Sequence, residues 1–110
     1  RNNWYPGQIL ADPAYDEKDA NVLAARARQA FLEFLPIRTS RDDTGRIYRS
    51  FRHGPLLDVF VIDERSYRGV NTPNRQASMS DRDAQFLAPL QLGWLKEALK
   101  RSTAVWKIIA

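Results

Sequence analysis

The run Leu57-Asp58-Val59-Phe60-Val61-Ile62 is apolar apart from Asp58 and stops at Asp63-Glu64-Arg65-Ser66-Tyr67-Arg68, a cluster of carboxylates, guanidinium groups and a phenol. Strand ends of this kind hold polar side chains against a rigid sheet, where charged substrates dock and where ordinary ion pairs also form. Asp58 and Asp63 lie five positions apart, an odd spacing that turns them to opposite faces of a strand and keeps them from sharing one metal or one proton. Asp63 and Arg65 lie two apart and share a face if the strand continues, which allows an ion pair or joint contact with a polar ligand. His53 is the single histidine and cysteine is absent. That excludes a multi-histidine metal site, a thiolate site, a disulfide framework and a cysteine nucleophile. Gly-rich phosphate loops, His-Glu-x-x-His clusters and Gly-x-Ser-x-Gly turns are likewise missing.

The elements that must position these residues follow from periodicity. With 110 residues and 44% hydrophobic content, the chain is one domain at most and has material for a core. Asp16, Glu17 and Asp19 precede an amphipathic stretch from Val22 to Leu35, closed by Pro36, with Leu23, Ala27, Phe31, Phe34 and Leu35 on one face. This reads as an N-terminal packing helix. After a polar loop, Ser40 to Gly45, the stretch Arg46 to His53 favours a strand, Gly54-Pro55 a turn, and Leu57 to Ile62 an antiparallel return. An irregular loop, 69–79, leads to a helix start where the Ser80 hydroxyl is placed to cap free backbone donors. A helix from Leu90 to Lys100 then presents Leu92, Leu95 and Leu99 with Trp94 and Ala98, and Ala104 to Ile109 gives a third strand. The pattern is α/β: a β-hairpin, a crossover helix and a further strand.

Charge sets a weak bias. Seventeen basic and thirteen acidic residues leave a net +4, interleaved along the chain, with no block that marks a nucleic-acid partner. No stretch approaches a membrane span. Neither a signal segment nor an initiator Met opens the sequence, and it closes inside the strand-like run Val105 to Ala110, so both ends read as cut and its strand edges invite association.

Five segments carry a resemblance. Arg1-Asn2-Asn3-Trp4-Tyr5-Pro6-Gly7, Arg46 to Gly54, Ile62 to Arg68, Gln91-Leu92-Gly93-Trp94-Leu95 and Ser102 to Lys107 occur in order along nearly the whole chain. Together they resemble landmarks of the PhoD-like alkaline phosphatases of the metallophosphoesterase superfamily. The segment Phe86-Leu87-Ala88-Pro89 departs from that pattern, which has a Leu-Gly pair there, and this bears on how the following helix starts.

The resemblance implies part of a calcium- and iron-dependent phosphatase or phosphodiesterase, a layered sandwich of sheets and helices that is periplasmic or secreted through a twin-arginine signal. Residues 1–110 would be a partial domain, incomplete at both ends. The family's Asp- and His-bearing metal motifs fall outside this chain, so no catalytic and no metal-ligating residue is assigned within it, and the segment alone is expected to be inactive. Asn2 and Asn3 are the active-site neighbours, their amide oxygens meeting a metal or its water, or capping a local turn. Asp63 and Arg65 are the supporting or anion-contact residues. The alternative is a non-catalytic module that binds an anionic partner through Arg46, Arg49, Arg52, Arg65 and Arg68.

Overall fold

The computed structural model describes residues 3–39, 45–73, 75–78 and 80–110. Asn2 and the polar loop from Ser40 to Thr44 therefore lie outside the described residues. The described part forms a three-stranded mixed sheet in the order β1-β2-β3, with helices α1 and α2.

β1 (Arg49–His53) and β2 (Leu57–Val61) make the expected hairpin, with His53 paired to Leu57 and Arg49 to Val61. Gly54 turns the chain at φ 62°, a left-handed conformation that costs glycine little. β3 (Trp106–Ile109) runs parallel to β2, with Leu57 opposite Trp106 and Phe60 opposite Ile109. Its ladder extends to Ala110, which donates to Phe60 O at 2.9 Å and accepts from Ile62 N at 2.8 Å. Parallel neighbours need a long crossover, and the segment from 62 to 105 supplies it, ending in α2 (Pro89–Arg101). Along β2 the alternation buries Asp58 and Phe60 on one face, and α2 lies on that side, where the Ser102 hydroxyl reaches Asp58 Oδ2 at 2.6 Å.

Four expectations need correction. α1 spans Ala20–Phe34, started by Asp19, whose carboxylate accepts from Asn21 N. Its anticipated packing face is largely open: Ala20 is buried, but Phe34 is 84% and Leu35 45% exposed. The stripe borders a groove beside the sheet through Leu23, Ala27 and Phe31, and its C-terminal turn is exposed at Phe34 and Leu35. In α2 the expected face holds for Leu95, which is buried, and for the half-buried Trp94, Ala98 and Leu99, but Leu92 is 39% exposed and Gln91 is buried in its stead. Gln91, Leu95, Ala98 and Ser102 follow one face at four-, three- and four-residue steps, about 100° round from Leu92. Ser80 caps no helix; its hydroxyl meets that of Ser78 at 2.7 Å, and the helix there shrinks to a 3₁₀ turn, Arg82–Ala84, headed by Asp81. Finally β2 ends at Val61, so Asp63 is a turn residue and its strand parity with Arg65 has no effect.

Candidate functional site

The site begins where β2 stops. The Asp63 carboxylate folds back on its own chain, Oδ1 accepting from Arg65 N at 2.9 Å and from Ser66 N at 2.8 Å. Side-chain oxygens of Asp stabilise tight turns in this way. From α2, the Gln91 amide grips the backbone of the same residue: its Oε1 accepts from Asp63 N at 2.7 Å and its Nε2 donates to Asp63 O at 2.9 Å. Gln91 is 1% exposed and Asp63 8%, so this pair of hydrogen bonds is dry. Further along, Gly69 N donates to Gln85 O at 2.9 Å, and the backbones there are so close that a Cβ on Gly69 would lie 2.6 Å from Arg82 O. The 63–69 segment is thus fastened at both ends.

What it carries is a pair of guanidinium groups. Arg65 Nη1 and Arg68 Nη1 both donate to Asn3 Oδ1, at 2.9 and 2.8 Å. Asn71 completes the knot, its Oδ1 accepting from Arg68 Nη2 at 2.6 Å and its Nδ2 donating to Asn3 O at 2.9 Å. Asn3 adopts φ 57°, a left-handed conformation that asparagine tolerates better than most side chains. The Arg68 guanidinium also lies 5.2 Å from the Phe86 ring centre. Among the described residues no carboxylate pairs with Arg65 or Arg68; the ion pairs there are Arg52 with Asp58 and Lys100 with Glu97. Two cations meeting on one neutral oxygen repel each other and keep most of their N–H donors for another acceptor. Chemically this is a place for an oxyanion. The Arg65 side borders a groove of about 730 Å³ whose other wall is built by Trp4 and by Leu23 and Phe31 of α1.

The residues singled out in sequence divide accordingly. Asn3 and Arg65 come together, and Asp63 supports Arg65 through its backbone N–H, with no ion pair to the guanidinium. The Asn3 amide oxygen, open in sequence to a metal or to a turn cap, takes two guanidinium donors. No three His, Cys, Asp or Glu side chains gather to hold a metal ion among the described residues. The five arginines of the alternative reading meet different partners. Arg46 lies over the Tyr48 ring, Arg49 donates to Ile47 O and borders Phe31 and Phe51, and Arg52 pairs with Asp58. That pairing and the Ser102 hydroxyl hold the Asp58 carboxyl below its ordinary pKa. Sequence reasoning missed Gln91 and Asn71; a glutamine four residues before Leu95, on the inward stripe of α2, was the available signal for the first.

Comparison with known proteins agrees with the ordered landmarks. The PhoD-like phosphatase family pattern matches residues 1–110. Alkaline phosphatase D of Bacillus subtilis (strain 168) is 35% identical over 94 residues, covering 78% of this chain and 16% of that protein. A solved structure of PhoD superposes with a TM-score of 0.66 at 31% identity, covering 97% of this chain and 22% of that one. The chain therefore spans less than a quarter of either relative, and its small α/β arrangement corresponds to a portion of the PhoD fold. By its match from the first residue to the last, this chain belongs to the PhoD-like phosphatase family.

Proposed function

We propose that this chain is part of a metal-dependent phosphatase or phosphodiesterase in which Asn3, Arg65 and Arg68 form one wall of the phosphate-ester site. The observation that carries this reading is the convergence on the Asn3 oxygen of two guanidinium groups that no carboxylate among the described residues pairs, within a family whose reaction acts on phosphate. Guanidinium forks match phosphoryl oxygens in charge and in spacing. The described residues do not fit a complete metal centre, because carboxylate and imidazole ligands are not clustered and the Asn3 oxygen already receives two donors. Calcium and iron are accordingly assigned to ligands elsewhere in the full-length protein, and residues 1–110 to a partial domain, inactive by itself. We place the full-length protein in the periplasm or outside the cell, in keeping with its family; no described helix is long and apolar enough to cross a membrane.

The test is hydrolysis of p-nitrophenyl phosphate and bis(p-nitrophenyl) phosphate by the full-length protein supplied with calcium and iron. Activity is expected, with loss on chelation, and the Arg65→Ala, Arg68→Ala double variant should raise KM about tenfold or more. Turnover by the 110-residue segment above a metal-only control, or an unchanged KM in the double variant, would refute the assignment.

A further inference from the structure

From the dry contact between α2 and the turn after β2, we infer that Gln91 is a positioning residue for the phosphate-binding arginines. The inference rests on the reading of Arg65 and Arg68 given above. Gln91 touches neither guanidinium. Its amide instead makes two hydrogen bonds to the backbone of Asp63, a residue 28 positions away, and it does so with 1% of its surface exposed. A buried primary amide needs partners for both its donor and its acceptor, and the N–H and C=O that a chain leaving a strand no longer pairs in the ladder meet that need in one geometry. The amide therefore sets where the chain leaves the sheet. From that fixed point the Asp63 carboxylate sets the next turn, by accepting from Arg65 N and Ser66 N. The guanidinium of Arg65 projects from a backbone determined on both sides, and Arg68, three residues on, meets it at Asn3.

A leucine would fill the space of Gln91 and serve α2 equally well as an apolar residue, so packing alone does not account for glutamine here. What leucine lacks is the pair of bonds to Asp63. Its substitution also leaves the Asp63 N–H and C=O buried and unpaired, which loosens the turn. The effect reaches the arginines through the backbone. It should therefore weaken the hold on anions more than it slows chemistry.

The experiment uses the full-length protein with inorganic phosphate as the probe. Gln91→Leu is compared with Leu95→Ala, which truncates a buried side chain of α2 one turn away and keeps the Gln91 amide that bonds Asp63, and with Arg65→Ala. Gln91→Glu provides a second route, since an ionised carboxylate keeps the acceptor for Asp63 N and loses the donor to Asp63 O. In Gln91→Leu or Gln91→Glu, the inhibition constant for phosphate and KM should rise together about fivefold or more, with kcat changed about twofold at most. Hydrogen exchange in a peptide covering 63–69 should quicken about tenfold, the loss expected for one buried hydrogen bond. Leu95→Ala should leave both readouts near the native values. If Arg65→Ala weakens phosphate inhibition while both Gln91 variants leave it native, the positioning role is wrong and the arginine site stands. If Arg65→Ala itself leaves inhibition unchanged, the arginine site falls and the role of Gln91 falls with it.

Discussion

Asp58 and Asp63 come from one apolar run, yet their surroundings give them different work. Asp58 sits on the covered face of β2, where Arg52 Nε and Nη2 reach its two oxygens at 3.0 and 3.2 Å and the Ser102 hydroxyl adds a third bond. These partners favour the charged carboxylate, Arg52 foremost, and lower its pKa. A carboxyl lowered on folding stabilises the native state above its unfolded pKa, about 3.9, and that contribution fades as pH falls through the folded value. Asp58→Asn should accordingly lower the melting temperature at neutral pH, with the gap to the native protein closing below about pH 4. A gap of constant size from pH 7 to pH 3 would show that the ion pair contributes nothing specific. Asp63 has no such cation among the described residues. Its Oδ1 serves two backbone N–H groups while its buried Oδ2 lacks a partner among the described residues. Sequence spacing set the two carboxylates on opposite faces of a strand, an argument that reaches Asp58 alone, because β2 ends at Val61 and an apolar run does not record where its ladder stops. The same limit hid Asn71 and Gln91, whose roles depend on contacts across 68 and 28 positions.

At the scale of elements, the hairpin was legible because a Gly-Pro turn and β-branched residues point to one local answer, and Gly54 in the left-handed region confirms it. The crossover helix and parallel β3 were legible for a similar reason, since a helix between two strands returns the chain alongside the first. The inward side of α2 was legible in part, since Leu95 is buried and Trp94, Ala98 and Leu99 are half-buried, as hydrophobicity expects. Hydrophobicity also gave weight to Leu92, which is exposed, and none to Gln91, which the turn after β2 takes as a polar partner. The loop between Arg68 and α2 hides another constraint in Gly69. Its φ is not left-handed, so the glycine is needed for space: the 3₁₀ turn passes with Arg82 O and Asp83 Cα at 2.6 and 2.7 Å from the position of a Cβ. Neither atom is at the end of a flexible side chain, so the two segments must part. Gly69→Ala should destabilise the protein by about 1–3 kcal/mol, the usual cost of overpacking, and break the Gly69 to Gln85 hydrogen bond. Denaturant unfolding measures the first effect and amide exchange at Gly69 the second. Native stability in the variant would mean that the contact relaxes freely.

Across the whole molecule, the sheet has one well-covered strand and two open margins. β2 is central and carries Phe60, 2% exposed, whereas all four residues of β3 are exposed and β1 shows most of its side chains to solvent. The radius of gyration is 16.3 Å, against about 13 Å for a compact chain of this length. The accessible surface of 8287 Å² likewise exceeds the roughly 6,200 Å² of a compact protein of this mass. The difference is of the order of a full protein–protein interface. It includes Phe34, Leu90, Trp106 and Val105, apolar side chains that water disfavours. A layer of this kind gains stability when other layers cover it, as a family whose members are several times longer would allow. The 110-residue chain alone should therefore melt over a broad range, with an unfolding enthalpy well under the roughly 75 kcal/mol expected of a compact domain its size. It should also bind a hydrophobic dye and associate as concentration rises, through the free edges of β1 and β3. In the full-length protein, the same residues of α1 and β3 should exchange their amide hydrogens slowly. A sharp, concentration-independent transition of full enthalpy in the isolated chain, without dye binding, would show instead that this sheet and its two helices close their own core.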